Sequence, residues 1–508
     1  MAEADMTATE TGCGNVSEKA LHKGRARIYT RYAKVDEANV VDMVNETVCT
    51  HMSNVGQIRY LRDYWRGEQP ILNRTKEVRP EICNRVVENR ADEIMSFKLG
   101  YQSSEAIQYI LSRDGGNESL AKNMANLNDD MFVEGKESQD AELLEWMFLC
   151  GIGYRMVEPD VDELAHDMDS SVLSDTAPFT IHVPDPRSCY VVYSKMYHHL
   201  PIAAVWQGMD EDDEWIYTVY TNTAKYTVKN SAVLEAVPNV IGLIPIIEYD
   251  LNSVRMGVFE RVLPILDAIN LLDSNRLDGI EQVVQALYLF KNCQIDKDSF
   301  LEMLELGAVS VSSTEGAQGD VTLITNDLDQ TQTQTVKDDL ISAFRDICGM
   351  PNKNAGGAND TGSAVYMRDG YGMAESHAKS VELKFKEAER RFLRVVLRIC
   401  EIGGKPVGLS LRDIDIAFNR RNYDNTLTKT QALTTMLDSG KIDPLDCFKS
   451  CGLFNDPEAV YARGMAYAEE QQQKAADIAA QHPAQDPAQQ PRPQQQEDGE
   501  KPPVTTSV

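Results

Sequence analysis

Apolar positions recur at helical spacing through most of the chain and at strand spacing through one central stretch. Val40, Val41, Val44, Val48, Val55 and Leu61 give residues 36–66 an apolar helical face, and Gly67 ends it. Val86, Val87, Ile94, Met95 and Phe97 predict a second helix over 84–99, closed by Gly100. A third spans 137–150 and stops at Gly151-Ile152-Gly153. From Tyr154 to Tyr249 the period switches to two. Cys189-Tyr190-Val191-Val192-Tyr193 and Trp215-Ile216-Tyr217-Thr218-Val219-Tyr220 are β-branched and aromatic runs that predict strands. The apolar stripe Phe259, Val262, Leu263, Leu266, Ile269, Leu272, Leu277, Ile280 and Val284 predicts a long helix over 257–288. Pro264 falls in its first turns, where a missing N–H is harmless.

Residues 289–329 read as a small unit: a short helix near 299–306, then strands at 308–311 and 321–324 joined through Gly316 and Gly319. A helix over 334–348 ends at Gly349 and Pro351. Residues 351–363, PNKNAGGANDTGS, hold turn formers and nothing that can bury a core, so they read as a loop between helices. The longest helix follows, over 364–403. Its apolar residues Ala374, Ala378, Val381, Phe385, Ala388, Phe392, Val395, Ile399 and Ile402 alternate by fours and threes, which is a heptad seam. At ~1.5 Å per residue that helix is about 60 Å long. The seam has no evident partner in its own chain, so Ala378, Val381, Phe385, Ala388, Phe392, Val395 and Ile399 are expected to pack against other copies. Leu409 to Phe418 alternates as a strand. Residues 426–476 predict three short helices, with Asp443-Pro444 and Asp456-Pro457 as cap-plus-first-turn signatures. Residues 477–508 are rich in Gln, Pro, Ala and Asp, the composition of a disordered tail. The fold class expected is α+β, predominantly helical.

Composition then narrows the function. At 508 residues the chain exceeds one compact core. Its formal net charge of -29 argues against a protein that grips nucleic acid, and is compatible with a surface that DNA slides past. The N-terminus lacks the basic and apolar regions of a signal peptide, and no window supplies the roughly 20 apolar residues of a membrane span. Ten scattered cysteines form no CxxC pair and no zinc-spaced cluster, so most read as small buried hydrophobes of a reducing compartment. Cys447 and Cys451 share one helix face, where core packing is the expectation. The acidic run Asp210 to Glu214 reads as a solvated hairpin turn rather than a metal site.

Catalytic signatures are missing. There is no GxSxG and no HExxH, and the eight histidines form no ligand set. Gly357-Ala358-Asn359-Asp360-Thr361-Gly362-Ser363 copies the glycine spacing of a phosphate loop, but Ser363 stands where the essential Lys belongs. No catalytic residue, metal or cofactor is assigned, and the chain is read as a non-enzyme.

The order of elements carries a resemblance. Tyr64-Trp65-Arg66-Gly67-Glu68-Gln69-Pro70-Ile71, Asn84 to Ala91 with Lys98-Leu99-Gly100, Ile244 to Tyr249, Gly257 to Glu260, Leu266 to Asn270, Ser274-Asn275 and Asn359 to Ala364 occur in an order similar to that of the portal proteins of tailed double-stranded-DNA phages, siphovirus type. That resemblance covers about residues 55–475. It implies a ring, usually of twelve subunits, at one capsid vertex of the virion, assembled in the host cytoplasm, with no membrane. The implied partners are the transiting DNA, the terminase large subunit, a head-completion (adaptor) protein, and the capsid and scaffolding proteins. By the same analogy 1–35 is an N-terminal segment, 36–256 the wing and 257–288 a stem helix. The clip is 289–329, the second stem helix 330–349, and the channel loop 350–363. The long helix and a wing strand occupy 364–425, and the crown 426–476. Asn352, Lys353, Asn354, Gly356, Gly357, Asn359, Asp360 and Thr361 would be the DNA-facing loop residues. The rival readings are a minor head or scaffold-associated structural protein and, behind it, a DNA-processing enzyme.

Overall fold

The computed structural model describes residues 24–103, 106–112, 118–159, 177–196, 198–284, 287–291, 298, 301, 320–324, 330–351, 371–418, 426–451, 453–454 and 457–481. The chain divides into two compact units, Met1–Asn425 and Thr426–Val508.

The first unit is built on a six-stranded sheet in the order β1-β5-β6-β7-β8-β9: Ile28–Thr30, Cys189–Ser194, Pro201–Met209, Trp215–Thr221, Ala224–Lys229 and Ala232–Pro238. β1 runs parallel to β5 and the other neighbours are antiparallel. Both faces of β5 are covered. Cys189, Val191 and Tyr193 enter the main core, while Tyr190 and Val192 enter a second core with Val40, Met43 and Val44. Alternate side chains leave opposite faces, so this doubly covered strand is apolar or aromatic from Cys189 to Tyr193 and ends on the buried Ser194. Helix α1 (Val40–Trp65) spans both cores, putting Val40, Met43 and Val44 in one and Ile58, Leu61 and Tyr64 in the other.

A three-stranded sheet, β10-β3-β4, uses Ile246–Asp250, Ile152–Pro159 and Phe179–His182. Helices α2 (Arg90–Gln102), α3 (Glu118–Val133) and α4 (Lys136–Cys150) belong to the same unit. So do α5 (Leu263–Val284), α6 (Gln330–Cys348) and α7 (Tyr371–Ile402). β2 (Gln108–Leu111) pairs with β13 (Ile414–Ala417), bringing residues about 300 apart in sequence together. The second unit holds α8 (Thr426–Asp438), α9 (Pro444–Cys451) and α10 (Pro457–Gln481) around Leu433, Cys447 and Cys451.

Several expectations need correction. The helix read over 84–99 starts only at Arg90. Residues 84–89 are held outside it by side chains of α5, described below. The long helix read to residue 288 ends at Val284, and Leu287–Lys291 becomes β11, paired antiparallel with β12 (Asp320–Ile324). The strand expected at 321–324 exists as part of β12, paired with β11; the strand expected at 308–311 lies outside the described residues. α3 was not foreseen. α10 is longer than the short helix expected and crosses the boundary drawn at 476, because its Ala, Glu and Gln residues favour helix. Cys49 is disulfide-bonded, so the reduced reading does not extend to it.

The seam of α7 is the largest correction. Ala378, Phe385, Ala388, Phe392, Val395 and Ile399 are buried within the subunit, and Val381 is half-buried. Phe385 packs 5.1 Å from Tyr249 and 5.4 Å from Phe418, ring centre to ring centre. The heptad spacing was real, but β3 and β10 of the same chain fill its face, so these residues are not a surface left for other copies.

Where the chain turns from β10 toward α5, Gly257 packs so closely that an added Cβ would sit 2.2 Å from the Leu149 carbonyl oxygen. Gly372, near the start of α7, has nothing within 4 Å of that position. Gly257→Ala is expected to lower unfolding stability by about 1–3 kcal/mol through overpacking. Gly372→Ala should leave it unchanged or slightly raised. Equal denaturant midpoints for the two variants would refute the close approach.

Candidate functional site

The DNA-facing loop residues expected from sequence, Asn352, Lys353, Asn354, Gly356, Gly357, Asn359, Asp360 and Thr361, lie outside the described residues. The structure does show the elements on either side of that loop, α6 and α7, and what fixes them.

α7 is fixed by a buried charge cluster. Glu389 is fully buried and accepts hydrogen bonds from Tyr109 on β2 (2.6 Å), Tyr249 on β10 (2.5 Å) and Arg155 on β3 (3.0 Å). Lys136 at the start of α4 lies 3.1 Å from it. Asp140 completes the cluster, 2.6 Å from Lys136 and paired with Arg155. Two cations therefore face two carboxylates with no water-exposed member. Burial acts to raise the Glu389 carboxyl pKa, but Lys136 and Arg155, with the two tyrosine hydroxyls, outweigh it and hold it down to about 2. Arg155 also lies over the rings of Tyr249 and Phe392, at 5.4 and 4.9 Å.

α5 is fixed by a ladder across an irregular segment. The backbone N–H groups of Asn84, Val86 and Glu88 donate to Asp278 Oδ1 (2.7 Å), Ser274 Oγ (3.0 Å) and Asn270 Oδ1 (2.8 Å). The acceptors are four apart on a helix and the donors two apart on an extended chain. Four helical residues rise about 6 Å and two extended ones about 6.6 Å, so the two repeats run in step. Asp278 also meets Arg74 at 2.9 Å and Lys76 at 3.0 Å, and these partners outweigh burial to hold its carboxyl down to about 2. Tyr64 of α1 donates to Asp267 at 2.8 Å.

α6 is tied to the same segment. Lys337 bridges Glu88 (2.7 Å) and Asp273 of α5 (2.9 Å), and Arg345 meets Glu93 of α2 at 2.6 Å. Arg276 donates to Gln334 at 2.9 Å. α5 and α6 thus form a cross-braced pair leading to and from the β11–β12 ribbon. The outward side of the pair keeps Leu271, Leu277, Ile280, Val336 and Ile347 exposed.

Other candidates resolve into structure. Asp210–Glu214 closes the β6–β7 hairpin, with Lys229 paired to Asp210 and 2.8 Å from Glu214. Among the described residues no three His, Cys, Asp or Glu side chains are grouped to hold a metal, and no helix is long and apolar enough to cross a membrane. Sequence reasoning missed Glu389, Arg155 and Asp140. The available signal was a glutamate beside the apolar seam of α7 and an arginine inside an apolar strand.

Comparison with known proteins identifies the class. The chain belongs to the family of phage portal proteins described as SPP1 Gp6-like, whose profile matches residues 50–483. That match runs from within α1 to the end of α10. Among solved structures the chain is similar to one described as the neck of an empty GTA particle computed with C6 symmetry. The identity is 10%, the TM-score 0.42, and the alignment covers 78% of this chain and 94% of that one. No curated protein matches it.

Two predictions follow from the buried groups. Glu389→Gln leaves Arg155 and Lys136 facing a single carboxylate and should cost on the order of 3–5 kcal/mol in denaturant unfolding. Tyr249→Phe should cost about 1.5–3 kcal/mol, one hydrogen bond to a charge. Near-zero values for both would show the cluster to be incidental.

His51 supplies a pH test. It stacks 4.4 Å from Tyr190, its Nε2 lies 3.1 Å from the Arg187 carbonyl oxygen, and burial pushes its pKa down to about 4 from 6.5. The unfolded chain binds this proton first, so the His51 contribution falls as pH drops from 6.5 to 4. Asp250 acts oppositely. Burial and Glu248 push it up to about 6, so its contribution favours the folded state more as pH drops from 6. The difference between wild type and His51→Gln isolates the histidine. Wild-type melting temperature should fall more than the variant's between pH 7 and 4.5; parallel curves would contradict the burial of a neutral ring.

Proposed function

We propose that this protein is the portal subunit of a tailed phage: a homo-oligomeric ring at one capsid vertex, usually of twelve copies, through whose centre double-stranded DNA enters and leaves the head. The observation that carries the reading is the family match over residues 50–483, which takes in every element from within α1 to α10. Portal proteins are structural, so the chain needs no catalytic site of its own. ATP hydrolysis belongs in this reading to a terminase large subunit docked on the ring, and an adaptor protein, the major capsid protein and scaffold are the other partners.

The braced pair α5–α6 would be the stem and the β11–β12 ribbon part of the clip. The six-stranded sheet with its flanking helices would form the wing, and the second unit the crown. The loop at 350–363, including Lys353, would line the channel. A strongly acidic protein suits a channel that DNA must traverse without adhering, since like charge disfavours phosphate contacts. Braced helices suit a part that must keep its diameter while DNA moves past.

Electron microscopy of the purified protein in negative stain tests the reading. Closed rings with a central hole are expected. A preparation that stays monomeric or dimeric at concentrations well above micromolar would favour the rival reading of a minor head or scaffold-associated protein.

A further inference from the structure

A half-open cavity of 290 Å³ lies between the C-terminal end of α2, residues 251–261, the C-terminal end of α6 and the first half of α7. Its walls are apolar at Phe148, Val258 and Ile347; Lys98, Arg261 and His377 are its basic groups, no carboxylate lines it, and Gln102, Asn252 and Ser380 are among its neutral polar groups. We infer that this cavity is a receptor for an aspartate or glutamate side chain of a second copy of the chain, so that the site is complete only in the assembled ring. The inference rests on the ring reading above.

Three observations carry it. The first is an unmet donor. Gln102 is 3% exposed, and its Nε2 has no hydrogen-bond partner. A buried amide N–H left without an acceptor is unfavourable, and such groups normally mark a missing partner.

The second is uncompensated charge. Among the described residues neither Lys98 nor Arg261 has a carboxylate within ion-pair distance. Burial pushes the Lys98 ammonium down to about 8, with only the Cys348 thiol acting the other way. His377 is held below its usual value by burial and by the charges of Lys98 and Arg261. Glu375 of α7, which does not line the cavity, is already engaged: it accepts from Tyr101 at 2.9 Å and lies 3.5 Å from Lys379.

The third bears on the ordinary alternative, that the cavity's donors answer the carbonyls at two helix C-termini, which holds for His377 but not for Lys98, Gln102 or Arg261. Carbonyls at both ends have other partners. At α6, Met350 N–H donates to the Arg345 oxygen (2.8 Å), Gly349 N–H to the Asp346 oxygen (3.1 Å), and the His377 ring to the Cys348 carbonyl. At α2, Ser103 N–H and Oγ both donate to the Leu99 oxygen, at 2.8 and 2.7 Å.

The occupant follows from charge and shape. A free phosphate would satisfy the cations and leave the apolar walls wet. A carboxylate on its methylene stem, carried by a neighbouring surface, meets both. With 79 acidic against 50 basic residues, another copy of this chain offers such groups in excess. A carboxylate seated between Lys98 and Arg261, with the buried Gln102 amide behind them, would form charge-assisted hydrogen bonds in a partly desolvated site, where they are strong.

Zero-length carbodiimide coupling tests this, because it joins an amine to a carboxylate only when they touch. Wild-type rings are treated, the dimer band is cut from a denaturing gel, and its linked peptides are identified by mass spectrometry. The expected result is a link between Lys98 and an aspartate or glutamate. It should vanish in Lys98→Arg, which keeps the charge and the ring but cannot be coupled. Lys98→Met should lower the salt concentration at which rings dissociate. A dimer band with no Lys98 link, or a Lys98 link confined to the monomer band, overturns the carboxylate receptor. Absence of any oligomer before coupling would instead overturn the ring reading on which it rests.

Discussion

Burying Glu389 constrains the first unit more than any other single feature. A carboxylate removed from water is tolerated only with counter-charges and donors in place, and here they come from four different elements. Arg155 reaches it from β3, Tyr249 from β10, Tyr109 from β2 and Lys136 from α4. None of those elements can shift without stranding the charge. The apolar seam of α7 supplies most of the burial, but apolar contact is non-directional and would tolerate a slide along the helix. The charge cluster sets the register.

The same division recurs at α5. Its apolar stripe places it against the core through Leu263, Leu266 and Ile269, while Asn270, Ser274 and Asp278 set its height by accepting the N–H groups of residues 84–88. Lys337 and Arg345 then lock α6 to the same segment. A pair of helices braced by polar contacts at their inner end, with apolar residues exposed along their outer side, is a suitable element for a subunit that must hold a fixed place among copies of itself.

Periodicity made most of the helices and the sheet region legible, α3 excepted, because each of those elements has at least one covered face. The run Cys189 to Tyr193 was legible as a strand, and its continuity has its reason in the two cores that take Tyr190 and Val192 on one face and Cys189, Val191 and Tyr193 on the other. What periodicity could not show was which surface covers a face. The seam of α7 has the spacing of a helix packed lengthwise on others, and the same spacing serves equally well against β3 and β10. The segment 84–89 failed for a related reason. Val86 and Val87 fit a helical face, but their backbone is held outside the helix by acceptors some 180 residues away, which no local pattern records. The motif residues Tyr64, Gln69, Asn84, Asn270 and Ser274 were legible only through resemblance, and the structure gives their physical reason: they are the polar contacts between α1, residues 69–88 and α5. The loop at 352–361 stays an expectation from sequence.

The central claim is that α7 is held by its own subunit, through Glu389 and the seam from Ala378 to Ile399, and not by neighbouring copies. Hydrogen–deuterium exchange of the α7 amides, compared between dissociated subunits and the assembled oligomer, measures this directly. Residues 385–399 should be strongly protected in both, with a difference of less than about threefold in exchange rate, because the covering partners are intramolecular. Protection of 385–399 that appears only on assembly would contradict the account and return the seam to the interface between subunits.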